Sequence, residues 1–289
     1  MTEKIRAFQQ WIKGKTVSVI GIGISNRPLI DFLLDCGALV TAHDKKTEEE
    51  LGETAQELRQ RGVSLVLGEK YLDDVCGEIV FRTPGVRYDH PGLVNAQKRG
   101  ATITSEMEVF MALCPAHMIA ITGSDGKTTT TTLIYNMLTE AGFHTYLGGN
   151  IGTPLLSKVG QMCETDYVVL EISSFQLHTM QQSPHIAVVT NITPNHLDYH
   201  TDYAEYIAAK KNIFMHQSRD DVAVLNLDND VTRDFVKETA GHAVTFSKTC
   251  KSADVYFDGT DIYADGKKIL SASDIKIPGG HNIENYMTA

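Results

Sequence analysis

Met118-Ile119-Ala120-Ile121-Thr122-Gly123-Ser124-Asp125-Gly126-Lys127-Thr128-Thr129-Thr130 runs from an apolar strand through a polar glycine loop into a helix. A strand, a glycine loop and a helix in that order form the setting a phosphate-binding loop requires. The glycines let backbone N–H groups approach phosphate oxygens closely. Lys127 adds a point charge for the outer phosphates, and the Thr128 hydroxyl suits a Mg²⁺ ion. The loop reads G-x-x-G-K-T, shorter than the usual G-x-x-x-x-G-K-T, and a plain glycine-rich turn is the alternative. Asp125 is out of place beside a triphosphate and is expected to point outward.

Outward from this stretch the chain alternates strands and helices. Downstream, strands are expected at 167–170, 186–190 and 222–225, with helices over about 127–141, 203–215 and 231–239. From residue 253 the pattern shortens to 255–257, 261–264 and 268–270, with Asp258-Gly259 and Asp265-Gly266 as turn pairs, which reads as edge β-hairpins. Upstream, strands at 16–20, 39–42, 63–67 and 78–81 alternate with helices at 28–36, 48–61 and 91–99. Ser105 and Glu108 form a capping-box pattern for a helix to about Leu113, which Pro115 stops. The expectation is an α/β protein. A Rossmann-like parallel-sheet domain over 1–114 precedes a P-loop-type central domain over 115–289 with a small β-hairpin edge.

Size and composition agree with two globular domains: 289 residues, 42% hydrophobic and 21% charged. A net charge of −10 argues against a nucleic-acid partner, which needs clustered Lys and Arg, but leaves room for a small nucleotide. No apolar run approaches the roughly 20 residues of a spanning helix, so no membrane partner is expected. The N-terminus lacks the apolar core of a signal peptide. Five cysteines lie far apart with no C-x-x-C pair, which argues against a disulfide framework or a zinc site and fits a reducing, cytoplasmic setting. A monomer is expected.

Three further motifs follow strands. Gly21-Ile22-Gly23-Ile24-Ser25-Asn26, with Asp44 21 residues beyond Gly23, is close to a dinucleotide fingerprint, although Asn26 stands where the third glycine belongs. Glu171 ends an apolar strand before Ser173-Ser174-Phe175-Gln176, where either a Mg²⁺ ligand or a helix-capping Glu would sit. Asn191-Ile192-Thr193-Pro194-Asn195-His196-Leu197-Asp198-Tyr199-His200 offers His196, Asp198 and His200 as ligands or acid–base groups, or as hydrogen-bonded loop residues. Lys210, in Ala208-Ala209-Lys210-Lys211, taken alone is a solvated helix lysine.

In this order the four motifs resemble the Mur ligases of peptidoglycan synthesis over essentially the whole chain. Gly148-Gly149-Asn150-Ile151-Gly152-Thr153-Pro154 and Glu171-Ile172-Ser173-Ser174-Phe175-Gln176-Leu177 look most like the branch that adds D-glutamate to UDP-N-acetylmuramoyl-L-alanine. The resemblance implies ATP-driven amide formation through an acyl phosphate. It implies ATP contacts at Gly123, Ser124, Asp125, Gly126, Lys127, Thr128 and Thr129, with Asn282 and Asn285 on the adenine side. Thr128, Glu171, His196 and Lys210 resemble the residues around two Mg²⁺ ions, with Lys210 carbamylated. Lys127, Glu171, His196 and Lys210 are then the catalytic set. Gly23, Ile24, Ser25, Asn26, Asp44, Lys45, Thr83, Pro84 and Gly85 resemble the UDP-substrate site, joined by Asn150 and Ser173. Arg82 has no role in this reading, and Asn26 departs from the family's usual glycine.

Members of the family carry a third, C-terminal domain. The chain ends soon after Asn285, so the reading expects a piece that binds nucleotide but ligates poorly or not at all. Rivals are a nicotinamide-dependent dehydrogenase built on Gly21 to Asp44, a non-catalytic nucleotide-binding module, a Mur ligase adding a different residue, and the folate polyglutamating enzymes. The dehydrogenase leaves the phosphate loop, Glu171 and Lys210 unexplained.

Overall fold

In a computed structural model, residues 2–24 and 26–289 are described; Ser25, an expected contact of the first glycine turn, lies outside them. The chain divides into two compact units. The first comprises residues 1–115 with Thr153–Met162, and the second Ala116–Gly152 with Cys163–Ala289.

Five strands build the first unit's sheet: β1 (Thr16–Ile20), β2 (Leu39–Asp44), β3 (Ser64–Leu67), β4 (Ile79–Phe81) and β5 (Thr102–Thr104). They are all parallel, in the order β3-β2-β1-β4-β5. The order turns at β1, whose C-terminal end carries the G-x-G turn, the place where such sheets bind ligands. Ile20, Val75, Val80, Leu93 and Ala96 form a core under it. The helix expected over 48–61 is two helices, Glu48–Leu51 and Glu53–Gln60. Thr47 caps the first with a full capping box, and Gly52 closes it by donating its N–H to Glu48 O. A helix over Glu3–Ile12, with Thr2 as its cap, was not expected; it shows the core only Ile5 and Ile12.

The expected single boundary after residue 114 needs correction at one segment. Thr153–Met162, placed in the central domain by sequence, groups with the first unit. Its short 3-10 helix Leu156–Gln161 buries Leu156 and Val159, and the Leu156 N–H donates to Glu106 Oε1 at 2.9 Å. A buried backbone donor needs such a partner, and Glu106 supplies it.

The second unit carries nine strands: β6 (His117–Thr122), β7 (Thr145–Gly149), β8 (Tyr167–Glu171), β9 (Ile186–Val189), β10 (Val222–Asn226), β11 (His242–Ser247), β12 (Val255–Phe257), β13 (Asp261–Ala264) and β14 (Lys267–Ser271). Their order is β14-β13-β12-β11-β10-β9-β6-β8-β7. The β12–β13 and β13–β14 pairs are antiparallel and the other pairs parallel, as the hairpin edge predicts. The central β6 lies between β8 and β9, so three parallel strands deliver their C-terminal ends to one place. Ile119, Ile121, Ile134, Val169 and Val188 pack the sheet against helix Lys127–Glu140. Strands β5, β7 and β11 escaped the sequence reading; β7 ends in two glycines and β5 has three residues, too little for a periodic signal.

Candidate functional site

The phosphate loop turns at two glycines where an added side chain would collide with a neighbouring residue. Gly126 has φ 81°, and a Cβ there would lie 2.4 Å from Asn285 Oδ1. Gly123 has φ 152°, and a Cβ there would lie 1.9 Å from Thr190 Oγ1. Thr190 and Asn191, which directly follow β9, hold the loop in return. Thr190 Oγ1 donates to Asp125 O at 2.6 Å, while Asn191 Oδ1 accepts from Asp125 N at 3.0 Å. The Asp125 side chain is exposed, as expected. Neither Thr190 nor Asn191 was assigned a role from sequence, although their place at a strand's C-terminal end beside the loop is the available signal.

Four of the expected catalytic and metal residues converge on this loop. Lys127 Nζ donates to Gly123 O and Ser124 O, both at 2.9 Å. Lys210 Nζ donates to the same Gly123 O at 2.8 Å and to Thr122 Oγ1 at 3.3 Å. Thr128 Oγ1 donates to Glu171 Oε2 at 2.6 Å. Asn150 Nδ2 donates to Glu171 Oε1 at 3.0 Å. Glu171 is therefore no helix cap: it is buried, and Ser173 caps the following helix Ser174–Leu177 with its hydroxyl on Gln176 N. The Ser173 hydroxyl, expected as a substrate contact, is engaged in that cap.

Lys210 corrects the reading of a solvated lysine. It is only 2% exposed, on helix Tyr203–Lys211, with its ammonium 4.9 Å from the centre of the Tyr206 ring. Burial, reinforced by the nearby Lys127 charge, pushes its pKa down to about 7. Burial also lowers Lys127, against the pull of Glu171 and Asp125. Two ammonium groups on one carbonyl beside a buried carboxylate make a site prepared for anionic oxygens.

His196 stands apart from this network. It lies on the exposed loop after β9 at φ 53°, edge-on to Phe175 with centroids 5.0 Å apart. Asp198 is exposed on the same loop, while His200 is buried. On the other side of the loop, helix His281–Thr288 brings in Asn282 and Asn285, which are buried and joined by an Asn285 Nδ2 to Asn282 Oδ1 bond at 2.9 Å. Asp125, Gly126, Thr129, Asn191, His281, Glu284 and Asn285 line a cleft of about 570 Å³, within the size range of small-ligand pockets.

In the first unit Asn26 and Asp44 shape the G-x-G turn. Asn26 Nδ2 donates to Ile20 O and Gly21 O, both at 2.9 Å. Asp44 Oδ2 accepts from Ile22 N at 2.6 Å and Oδ1 from Lys46 N at 2.9 Å, so this carboxylate braces the turn. Gly23, Ile24 and Lys45 are exposed around it. The Thr83-Pro84-Gly85 loop adjoins the same turn: the Thr83 methyl lies 3.4 Å from where a Gly21 Cβ would be. Arg82, without a role from sequence, is buried and donates from Nη1 to Val86 O at 2.7 Å, shaping that loop.

Comparison with known proteins adds lineage to this geometry. Residues 121–289 match the model of the Mur ligase middle domain. The UDP-N-acetylmuramoylalanine–D-glutamate ligase of Acetivibrio thermocellus is 52% identical over the whole of this chain, and that of Clostridium kluyveri is 52% identical over 98% of it. The chain spans 63% and 62% of the length of these relatives. A solved UDP-N-acetylmuramate:L-alanyl-gamma-D-glutamyl-meso-diaminopimelate ligase from Neisseria meningitides has the same fold, with a TM-score of 0.62 and 18% identity, over 95% of this chain and 91% of that one.

Proposed function

The chain belongs to the Mur ligase family, and we propose on that footing that it serves the ATP-dependent joining of D-glutamate to UDP-N-acetylmuramoyl-L-alanine in peptidoglycan precursor synthesis. One observation carries the reading: Lys127, Thr128, Glu171 and Lys210, from three separate parts of the chain, meet at one loop. A nicotinamide dehydrogenase has no use for that cluster.

The proposed reaction has two steps. The substrate carboxylate takes the γ-phosphoryl group of ATP, giving an acyl phosphate and ADP. The amino group of D-glutamate then attacks the acyl carbon; the C–N bond forms, the C–O bond to phosphate breaks, and the amine loses a proton. The amides of Gly126 to Thr129, at the start of helix Lys127–Glu140, are assigned to the phosphates, and Lys127 balances their charge. Thr128 Oγ1 and the Glu171 carboxylate are adjacent hard oxygens and fit Mg²⁺, which, when bound, supplies charge neutralisation at the transferring group. His196 and a carbamylated Lys210 are the proposed holders of a second ion. Asn282 and Asn285 are assigned to the adenine side, the second unit to Mg-ATP, and the first unit to the UDP substrate. Asn150, through Glu171, and Ser173 are assigned to the substrate side of the second unit. We place the protein in the cytoplasm as a monomer; no helix among the described residues is long and apolar enough to cross a membrane.

Carbamylation needs a neutral amine. A pKa near 7 leaves much of Lys210 neutral at physiological pH, whereas an ordinary lysine is almost wholly charged. The amine attacks carbon dioxide, a C–N bond forms, and a proton leaves to solvent. Isotopically labelled bicarbonate should give a carbamate carbon resonance that is absent in Lys210→Arg. A spectrum identical in both proteins would remove this part of the proposal.

Calorimetric titration tests the whole reading. UDP-N-acetylmuramoyl-L-alanine and Mg-ATP should each bind saturably, and NADH should not. Binding of NADH in place of the UDP compound would refute it.

A further inference from the structure

We propose that His178, His200 and Glu205 form a site for a transition-metal ion of the zinc class, distinct from the oxygens of Thr128 and Glu171. The proposal does not depend on the nucleotide reading. Its three residues come from three short segments. His178 ends helix Ser174–Leu177, His200 closes the loop after β9, and Glu205 lies in the first turn of helix Tyr203–Lys211.

The tertiary structure brings one donor atom of each side chain within 4.8 Å of the other two. His178 Nε2 lies 3.2 Å from Glu205 Oε1, and His200 Nδ1 lies 3.8 Å from Glu205 Oε2. Donors held at about 2.0–2.2 Å from a tetrahedral ion sit roughly 3.3 Å from one another. Small side-chain adjustments therefore suffice to close the set around an ion.

The chemistry of the donors selects the ion. Two imidazoles with one carboxylate are the three protein ligands of many zinc centres, which leave a fourth position for water. Imidazole favours zinc, copper, iron and nickel, whereas magnesium prefers oxygen alone. The site also has an outer shell. His200 Nε2 is 3.0 Å from the buried Ser174 hydroxyl. With Ser174 Oγ accepting, the ring proton sits on Nε2 and the Nδ1 lone pair faces the ion, the arrangement in which metal-bound histidines are usually held. The Phe175 ring stacks on His200 at 5.8 Å and gives the site an apolar wall.

Such an ion ties the turn that follows Glu171 to the helix that carries Lys210. It is a structural clamp on two elements of the nucleotide site, and it takes no part in the ligation chemistry.

The test is titration of the metal-stripped protein with Co²⁺, read by its visible ligand-field bands, and with Zn²⁺ in competition with a chromophoric chelator. One ion per chain is expected, with the band intensity of a tetrahedral nitrogen–oxygen site. Ser174→Ala, a small change that spares all three ligands, should weaken binding about 10–100-fold. His178→Gln should abolish it, and Glu171→Gln should leave it intact. Circular dichroism shows that each variant folds; should His178→Gln fail to fold, Ser174→Ala decides. The proposal is overturned if the native protein shows no saturable binding, in which case the cluster is only an ion pair. It is equally overturned if binding survives both His178→Gln and Ser174→Ala, or if it vanishes in Glu171→Gln, which would place the ion at the nucleotide site.

Discussion

Asn26 stands where dinucleotide-binding turns usually have their third glycine. A glycine there lets helix and strand pack closely. Here the asparagine side chain fills the space and donates to two strand-end carbonyls, Ile20 O and Gly21 O. A departure from the family pattern is thus a brace, since buried carbonyls need donors. Asn26→Ala leaves both acceptors without that donor and should cost about 1–3 kcal/mol. Denaturant midpoints followed through Trp11, the single tryptophan and a residue of the same unit, measure the loss. An unchanged midpoint would mean that water replaces the amide at no cost. Lys210 makes the converse point. Its type and its helix suit solvent, yet its chain neighbours Tyr206 and Ala209 are buried with it, and burial turns a surface cation into a titratable amine.

At the scale of elements, the helix Lys127–Glu140 begins at Gly126, whose left-handed backbone aims the first free N–H groups into the loop. Gly126→Ala adds about 1–2 kcal/mol of backbone strain and drives a Cβ against Asn285. ATP affinity should fall about tenfold or more by calorimetry; an unaltered affinity would show that helix 281–288 yields freely. A second element-level prediction concerns the 3-10 helix Leu156–Gln161 and its anchor Glu106. Burial raises the Glu106 pKa above its ordinary value of 4.5, outweighing its bonds to the Leu155 and Leu156 amides. The folded chain therefore holds this proton more tightly than the unfolded chain. The associated stability is full below the unfolded value and is lost as pH rises through the folded one. Glu106→Gln keeps an oxygen for the Leu156 N–H, so it should flatten this slope and be the more stable protein at neutral pH. Trp11-monitored urea midpoints from about pH 4 to 7 would show it; a variant less stable than the native protein at pH 7 would contradict it.

For the whole molecule, the division into two units makes a separable prediction. Lys127 belongs to one unit and the G-x-G turn to the other. Lys127→Ala should abolish Mg-ATP binding and leave the affinity for UDP-N-acetylmuramoyl-L-alanine within about twofold, since sites without shared partners behave additively. Equal loss of both would mean coupling between the units or misfolding. The α/β class, both glycine turns and the hairpin edge were legible in the sequence because each depends on contiguous residues: alternation along a strand, glycine where the backbone must turn left, a cap before a helix. The sequence alone also carried the family's motifs in order. Only the tertiary structure decided that Thr128 meets Glu171, that Lys210 is buried against Gly123, that Thr153–Met162 returns to the first unit, and that His178 and Glu205 join His200. Those pairings depend on which strands become neighbours, and β6 lies between β8 and β9 for reasons of packing that no local stretch encodes.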